Sequence, residues 1–457
     1  MAPVPATRPR SVPLPRQWGL RSLDVVALVA GNAVLIVLMW IRHGGLDQLG
    51  TLGGILTAGG QLAALLGTYL ALVGIVLMAR SPWLDQAIGP DRLAWAHRWI
   101  GFSTIWLIGG HAVLTISGWA LGDGRNVVAE AIDLVAGYPY VLWAVVGFAL
   151  FLMVGFTSMA AARRRMSYET WYWLHVYTYL AIGLAFLHQL FVGADFTHDP
   201  LAAAYWIALY AATAALVVVF RFGQPLVLFA RHGFRVGGIV DEAPGVASLY
   251  VTGRDLDRLP VRSGQYFVVR FLRREDWWRA HPYSISSAPN GTWMRFTVKA
   301  LGDDSSTLPR IAPGTPVLLE GPYGVLTGAV RTRRKVTLIA GGIGISPLRA
   351  LLESLAGAPG DLTLLYRAAS AQDLVFRDEL DRLAAHRGAT IHYLVGRRGV
   401  ELPADPLNAA TLARLVPDIA DQDVYLCGPT GLMRRTEASL LELGVPRGQV
   451  HAERFSY

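Results

Sequence analysis

The sequence predicts a multidomain membrane protein: a six-helix transmembrane bundle, then an antiparallel β-barrel, then a doubly wound α/β domain. Three observations predict it. Long apolar runs fill the first half of the 457 residues, whereas the second half has the texture of a soluble α/β protein. From about Gly223 the pattern changes to short alternating runs broken by turn residues, as in a small antiparallel barrel. From Val336 a strand, a glycine turn and a helix follow in succession, and further strand and helix patterns alternate after them. The expected domains are a basic segment at 1–23, the bundle at 24–222, the barrel at 223–328 and the α/β domain at 329–457.

Composition narrows the function. The chain is 53% hydrophobic and only 16% charged, with a mean hydropathy of +0.38, unlike a soluble enzyme of this size. Its formal charge of +8 sits largely in short segments beside apolar spans, where it reports membrane orientation. No basic stripe interleaved with aromatics is present, so nucleic-acid binding is not expected. A single cysteine, Cys427, excludes an internal disulfide and thiolate-built zinc or iron–sulfur sites. Any metal must be held by histidine.

Residues 1–23 are rich in Pro and Arg. A basic segment before an apolar run can be a signal peptide, but no small-residue cleavage site follows the run, so an uncleaved first span is expected. Spans are predicted at 25–41, 52–78, 97–121, 140–162, 171–192 and 201–220, each close to the ~20 residues a crossing helix needs. Arg80, Arg92, Arg98, Arg163, Arg164, Arg165 and Arg221 fall on one side, whereas the opposite loops are mainly acidic. The positive-inside bias then makes both termini cytoplasmic, in a multi-pass cell-membrane protein.

Apart from Arg98 at one mouth, the only ionisable side chains inside these spans are His97 and His111 on the third and His175 and His188 on the fifth. Ionisable groups are costly in hydrocarbon, and such residues mark function by default. His97 and His111 are 14 residues apart, roughly 21 Å along the axis and about 40° short of four full turns, so they share a face. His175 and His188 are 13 apart, roughly 19.5 Å, but about 140° from eclipsed on a straight helix. That second pair calls for a bend, for which Gly183 is one place, a π-bulge, or two groups at different azimuths. One such histidine reads as a helix-interface residue bonded to a neighbour. Two pairs at matched depth, with little else polar around them, read as axial ligands of two haem irons: His97 with His175, and His111 with His188. Arg80, Arg92 and Arg98 are placed either to meet haem propionates or simply to mark the inner side.

The barrel carries three motifs: Arg262-Ser263-Gly264-Gln265-Tyr266-Phe267; His281-Pro282-Tyr283-Ser284-Ile285-Ser286-Ser287; and Lys299 with Gly302-Asp303-Asp304-Ser305-Ser306, leading to Gly321-Pro322-Tyr323-Gly324. A flavin needs an aromatic wall, donors at its ring edge and donors for its phosphates. Tyr283 and Ser284 can supply the first two, and Ser305 and Ser306 near a helix start can supply the third. Singly, each motif could be a turn between strands.

In the α/β domain the expected strand 336–340 runs into Gly341-Gly342-Ile343-Gly344-Ile345-Ser346-Pro347 and a helix at 348–355. Such a turn lets backbone approach a pyrophosphate at a helix N-terminus, and Pro347 stands where the third glycine of the dinucleotide fingerprint would be. Strands at 362–366 and 390–395, with a helix near 373–385, continue the alternation. Where a ribose-binding acid would indicate NADH, the sequence has Arg367 and then Gly396-Arg397-Arg398, which favours the 2′-phosphate of NADPH. The strand 423–426 ends in Cys427-Gly428-Pro429, suited to a ligand crevice at the sheet's carboxyl edge.

Across 24–457 these residues resemble the ferric reductase and NADPH oxidase family. The phrases that carry the likeness are His97-Arg98-Trp99-Ile100-Gly101 with His111, Ser167-Tyr168-Glu169 ahead of Trp171 and His175, and His281-Pro282-Tyr283-Ser284. The barrel motifs and the G-x-G-x-x-P turn resemble the ferredoxin–NADP reductase superfamily. The resemblance implies two b-type haems between the third and fifth helices and an FAD on His281, Pro282, Tyr283, Ser284, Ser286, Ser287, Lys299, Gly302, Ser305 and Ser306. It implies a nicotinamide nucleotide on Gly341, Gly342, Gly344, Pro347, Arg367, Arg397, Gly428 and Pro429. It also implies Cys427 beside the nicotinamide and a terminal aromatic, Phe455 or Tyr457, near the flavin. The implied activity is electron transfer from NADPH through FAD and both haems to a ferric chelate or to dioxygen across the membrane. His43 and His198 are the outer-loop histidines that could meet a metal, or plain loop residues. A carrier subunit serving a partner protein or quinone is the alternative. Oligomeric state stays open.

Overall fold

The computed structural model describes residues 22–275, 277–300 and 308–454, and the chain folds as two compact units. One holds the long helices, within 22–88 and 92–220; the other holds 221–457 with 89–91.

In the first unit six helices are long and apolar enough to cross a membrane. They are α1 (Ser22–Arg42), α2 (Leu52–Leu77), α3 (Pro90–Gly122), α4 (Val141–Ser158), α5 (Tyr168–Val192) and α6 (Pro200–Val217). Local chemistry sets several starts. Thr51 Oγ1 accepts from Gly54 N, Ser167 Oγ from Thr170 N, and Asp199 Oδ1 from Leu201 N and Ala202 N. Each satisfies amide donors that a first helical turn leaves free.

Two boundaries differ from the sequence expectation by four residues or more. α3 begins at Pro90, seven residues before the expected start, because Asp91 and Arg92 are polar without being helix breakers. α4 stops at Ser158 because Met159 turns extended, although the apolar run continues. The π-bulge considered for the fifth span is absent from α5; a π-helical turn occurs instead at Val218–Gly223, where α6 passes into α7 (Gln224–His232).

Outward faces of the bundle are apolar and exposed, Trp95, Trp99 and Trp106 among them, as lipid-facing surfaces should be. Inside, Gln189 donates to Thr68 and accepts from Tyr210, tying α2, α5 and α6 together. Interhelical hydrogen bonds of this kind contribute on the order of 0.6 kcal/mol in a membrane.

The second unit opens with six antiparallel strands: β1 (Arg235–Ala243), β2 (Val246–Thr252), β3 (Tyr266–Phe271), β4 (His281–Ser284), β5 (Trp293–Lys299) and β6 (Val317–Tyr323). They form two sheets, β1-β2-β5 and β4-β3-β6. Isolated bridges Arg235↔Pro316 and Ile285↔Phe296 join their edges in a barrel-like order around Phe234, Leu249, Phe267 and Phe296.

A parallel sheet follows, from β7 (Val336–Gly341), β8 (Leu362–Ala368), β9 (Thr390–Val395), β10 (Asp423–Gly428) and β11 (Val450–Arg454) in the order β11-β10-β7-β8-β9. Among its helices are α8 (Ile345–Ser354), α9 (Arg377–Arg387) and α10 (Thr430–Glu442). Leu338 and Ala340 pack in one core and Ile339 in another, as alternation in a strand covered on both faces requires. The strand order reverses between β7 and β10, which puts the usual ligand crevice at their carboxyl ends.

Candidate cofactor sites

The bundle brings the four histidines together as two levels. His97 and His175 face each other with ring centroids 5.8 Å apart, and His188 lies within electrostatic reach of His111. Two metal–nitrogen bonds of about 2 Å, plus the distance from each nitrogen to its ring centre, span roughly 6 Å, so the first pair has the separation an intervening metal needs. Among the described residues no group of three or more His, Cys, Asp or Glu converges on a metal-sized site. Two imidazoles per level would suit a metal whose remaining donors come from a bound prosthetic group.

The groups that hold these rings were not legible in the sequence. His97 Nδ1 lies 3.0 Å from the Gly74 carbonyl and His111 Nδ1 lies 3.0 Å from the Gly60 carbonyl, both on α2. Carbonyls only accept, so each Nδ1 carries the proton and each Nε2 keeps its lone pair for a metal. On the α5 side, Ser158 Oγ stands 3.4 Å from His175 Nδ1, and His188 Nδ1 is buried without a hydrogen-bond partner among the described residues.

Just beyond the end of α1, His43 is engaged with an acid. Its Nε2 and the Arg42 Nη2 meet Asp199 Oδ2 at 2.9 and 2.8 Å. That hydrogen bond from His43, with the Leu201 N–H, holds the Asp199 carboxyl down at about 2.

In the barrel, β4 carries His281-Pro282-Tyr283-Ser284 against β3, with the His281 and Tyr283 rings stacked at 5.9 Å. Ser284 Oγ is buried and has no hydrogen-bond partner among the described residues. A donor left so beside an aromatic wall fits a flavin ring edge. Ser286 is engaged within the protein, its Oγ bonded to Arg295 O and Thr297 Oγ1, while Ser287 is buried nearby. Lys299 pairs with Asp373 at 3.7 Å. Gly302, Ser305, Ser306, Phe455 and Tyr457 lie outside the described residues.

At the sheet's carboxyl edge the two glycine turns pack back to back. A Cβ on Gly344 would collide with the Cys427 carbonyl, and one on Gly341 would come 3.1 Å from Pro429. Gly342 takes φ +54°, where a side chain is strained. Pro347 is buried in the first turn of α8, where its missing N–H is harmless. We expect Gly344→Ala to force the turns apart, costing ~1–3 kcal/mol as overpacking does. The variant should show a raised KM for the nicotinamide nucleotide with FAD content retained; an unchanged KM would refute the close-approach role.

Cys427 is fully buried, and burial, together with Glu453 across the strand pair, pushes its thiol pKa well up, so it is neutral at pH 7. Glu453 is the residue sequence reading missed. The pairing Cys427↔Glu453 puts it beside the cysteine, and Gly324 of the barrel's last motif sits against its carboxylate. Its only sequence signal is its place two residues before Phe455. Arg367 is buried and donates to the carbonyls of Leu394 and Gly396, so it shapes the turn that displays the exposed Arg397. Burial first, then Arg398, lowers its pKa.

The barrel and the sheet are clasped by charge. Arg295 of β5 binds Glu379 of α9 through two bonds of 3.0 and 3.1 Å. Arg349 of α8 pairs with both Glu379 and Glu353. Both guanidiniums also donate to the Ser286 carbonyl, and Glu353 accepts from Ala288 N at 2.6 Å. Burial would raise the Glu379 carboxyl pKa, but Arg349 and Arg295 outweigh it and hold it below the usual value.

Comparison with known proteins finds three matching family models: a ferric reductase like transmembrane component at residues 63–186, an FAD-binding domain at 247–327 and an oxidoreductase NAD-binding domain at 338–438. The first stretch holds His97, His111 and His175 and ends two residues before His188. A ferredoxin–NADP reductase B from Sorangium cellulosum is 35% identical over 191 residues, covering 38% of this chain and 77% of that protein. A flavohemoprotein from Vibrio cholerae is 33% identical over 230 residues, 46% of this chain, and the match spans only 57% of that relative's length. The crystal structure of the flavohem-like FAD/NAD binding domain of a Vibrio cholerae nitric oxide dioxygenase aligns with 28% identity and a TM-score of 0.40, over 49% of this chain and 97% of that one.

Proposed function

Because the chain belongs to the ferric reductase and NADPH oxidase type of architecture, a ferric reductase-like transmembrane domain joined to FAD- and NAD-binding domains, we propose that it carries electrons from cytoplasmic NADPH across the cell membrane to an acceptor on the outer face. The observation that carries this reading is the pair of histidine levels within the membrane domain, His97 with His175 and His111 with His188. FAD would supply the conversion of a hydride into single electrons, and two b-type haems their relay across the bilayer.

The chain's own residues prepare each stage. The glycines at 341, 342, 344 and 428 let backbone N–H groups approach a pyrophosphate. Neutral Cys427 and the adjacent Glu453 line the crevice where nicotinamide and flavin must meet. Ser284 offers its hydroxyl to the flavin edge, and Tyr283 gives the wall. The α3 histidines present Nε2 inward because α2 holds their Nδ1 protons.

Arg397 is exposed where a 2′-phosphate would lie, and a charge-assisted hydrogen bond contributes ~1.5–3 kcal/mol. Arg397→Ala should therefore lower kcat/KM for NADPH roughly 10–100-fold and leave NADH unchanged. Equal losses with both coenzymes would refute this contact. The acceptor is ferric chelate or dioxygen. Superoxide-dismutase-sensitive dye reduction by NADPH, set against ferric-citrate reduction, separates them. Inactivity with both would overturn the reductase reading in favour of a carrier serving a partner protein or quinone.

A further inference from the structure

Glycine recurs on α2 every seventh residue, at Gly53, Gly60, Gly67 and Gly74. Seven residues turn a helix about 700°, so these positions drift only ~20° each and line one face. The structure turns that face onto α3. Gly53 meets the Gly118 carbonyl, Gly60 meets Thr115, Gly67 meets Ile108, and Gly74 meets Ile100 and His97. The step from Gly60 to Gly74 is 14 residues, equal to the step from His97 to His111. Matched steps on two helices give matched rises of roughly 21 Å, so a carbonyl reaches each histidine with the same 3.0 Å contact.

We propose that Gly60 and Gly74 are positioning residues for the two α3 ligands, fixing their tautomer and lowering the reduction potential of the iron at each level. This rests on the haem reading above. A helical carbonyl has a second lone pair beyond the one its own ladder uses, and that lone pair takes the imidazole N–H. Donation from Nδ1 makes the ligating nitrogen more basic, which favours the ferric state. Among the described residues the α5 histidines have no comparable carbonyl: Ser158 Oγ is 3.4 Å from His175 Nδ1, and His188 Nδ1 has no hydrogen-bond partner. Each level therefore pairs one strongly and one weakly supported imidazole, and α2 would tune an iron held at either level.

The glycines are not equivalent to substitution. At Gly60 an added Cβ would collide with Thr115 Oγ1 and lie 3.0 Å from its backbone N. At Gly74 it would sit 3.5 Å from Ile100 and 3.7 Å from His97 Nδ1, an ordinary contact. The test is a spectroelectrochemical titration of the full-length, haem-loaded chain in detergent. Gly60→Ala should shift only the haem at the His111 level, to higher potential, with haem-to-FAD ratio unchanged. Gly74→Ala should shift neither haem. Unchanged potentials in Gly60→Ala, or equal shifts in the two variants, would overturn the proposal. If Gly60→Ala does not accumulate, Gly67→Ala takes its place. Its Cβ would come within 2.9 Å of Ile108 Cδ1 and 3.2 Å of Ile108 Cγ1 and Leu107 Cβ, one heptad from each level, and both potentials should rise together. No shift there overturns the proposal as well. A His111→Ala protein that keeps both haems would instead bring down the ligation reading itself, so the two failures are distinguishable.

Discussion

His111→Ala is expected to leave one b-type haem per chain instead of two and to abolish NADPH-driven reduction of the outer acceptor. His111 occupies the level shared with His188 and is bonded through Nδ1 to the Gly60 carbonyl, so alanine removes one of the two donors at that level. The loss of haem affinity should exceed the ~10–100-fold that follows when a ligand merely loses the group orienting it. The FAD- and NAD-binding domain matches lie in the other unit of the chain, so NADPH oxidation by a small soluble dye that takes electrons from flavin should persist. Pyridine haemochrome content and the two activities, measured on one preparation, check all three statements. Two haems retained, or loss of the dye activity in step with the transmembrane activity, would contradict the assignment. His97→Ala should give the same pattern at the other level.

The second large effect is expected at the charge clasp. Glu379→Gln leaves the guanidiniums of Arg295 and Arg349, each 6% exposed, beside a neutral amide. Breaking a buried ion pair by removing one partner costs ~3–5 kcal/mol. Because the Glu379 side chain is 25% exposed, the lower end, about 3 kcal/mol, is expected. For a unit of this size that is a drop of roughly 6–12 °C in the midpoint of thermal FAD release. The pH dependence has a definite sign. Arg349 and Arg295 depress the folded-state pKa of Glu379, so its contribution is complete above the unfolded carboxylate pKa of about 4.3. It is lost as pH falls below that, through the folded value. Wild-type FAD release should therefore be promoted by acid in that window, and Glu379→Gln should flatten this part of the profile. An unchanged midpoint in the variant would show the clasp to be energetically idle.

Much of this was legible in sequence because hydropathy and periodicity are local properties. Span positions at 52–78 and 171–192 agree with α2 and α5 to within three residues at either end. The strand–glycine turn–helix at 336–355 is β7 and α8. The start of α3 was missed because hydropathy registers a membrane border and the backbone does not; its helix reaches back through Arg92 and Asp91 into polar territory. The 13-residue step from His175 to His188 invited a π-bulge in α5, yet the π turn lies at Val218–Gly223.

By itself the sequence determined the order of domains, the six long apolar helices, the histidine pairs on two of them and the glycine turns of the NAD-binding domain. Only the tertiary structure decided that Gly60 and Gly74 hold His111 and His97, that Glu453 stands beside Cys427, and that Arg295, Arg349 and Glu379 clasp barrel to sheet. The reason is physical. Each of these is a contact between elements distant in sequence, and it exists only in one register of packing. A shift of one residue on a helix turns a side chain by about 100°, and on a strand it moves the side chain to the opposite face.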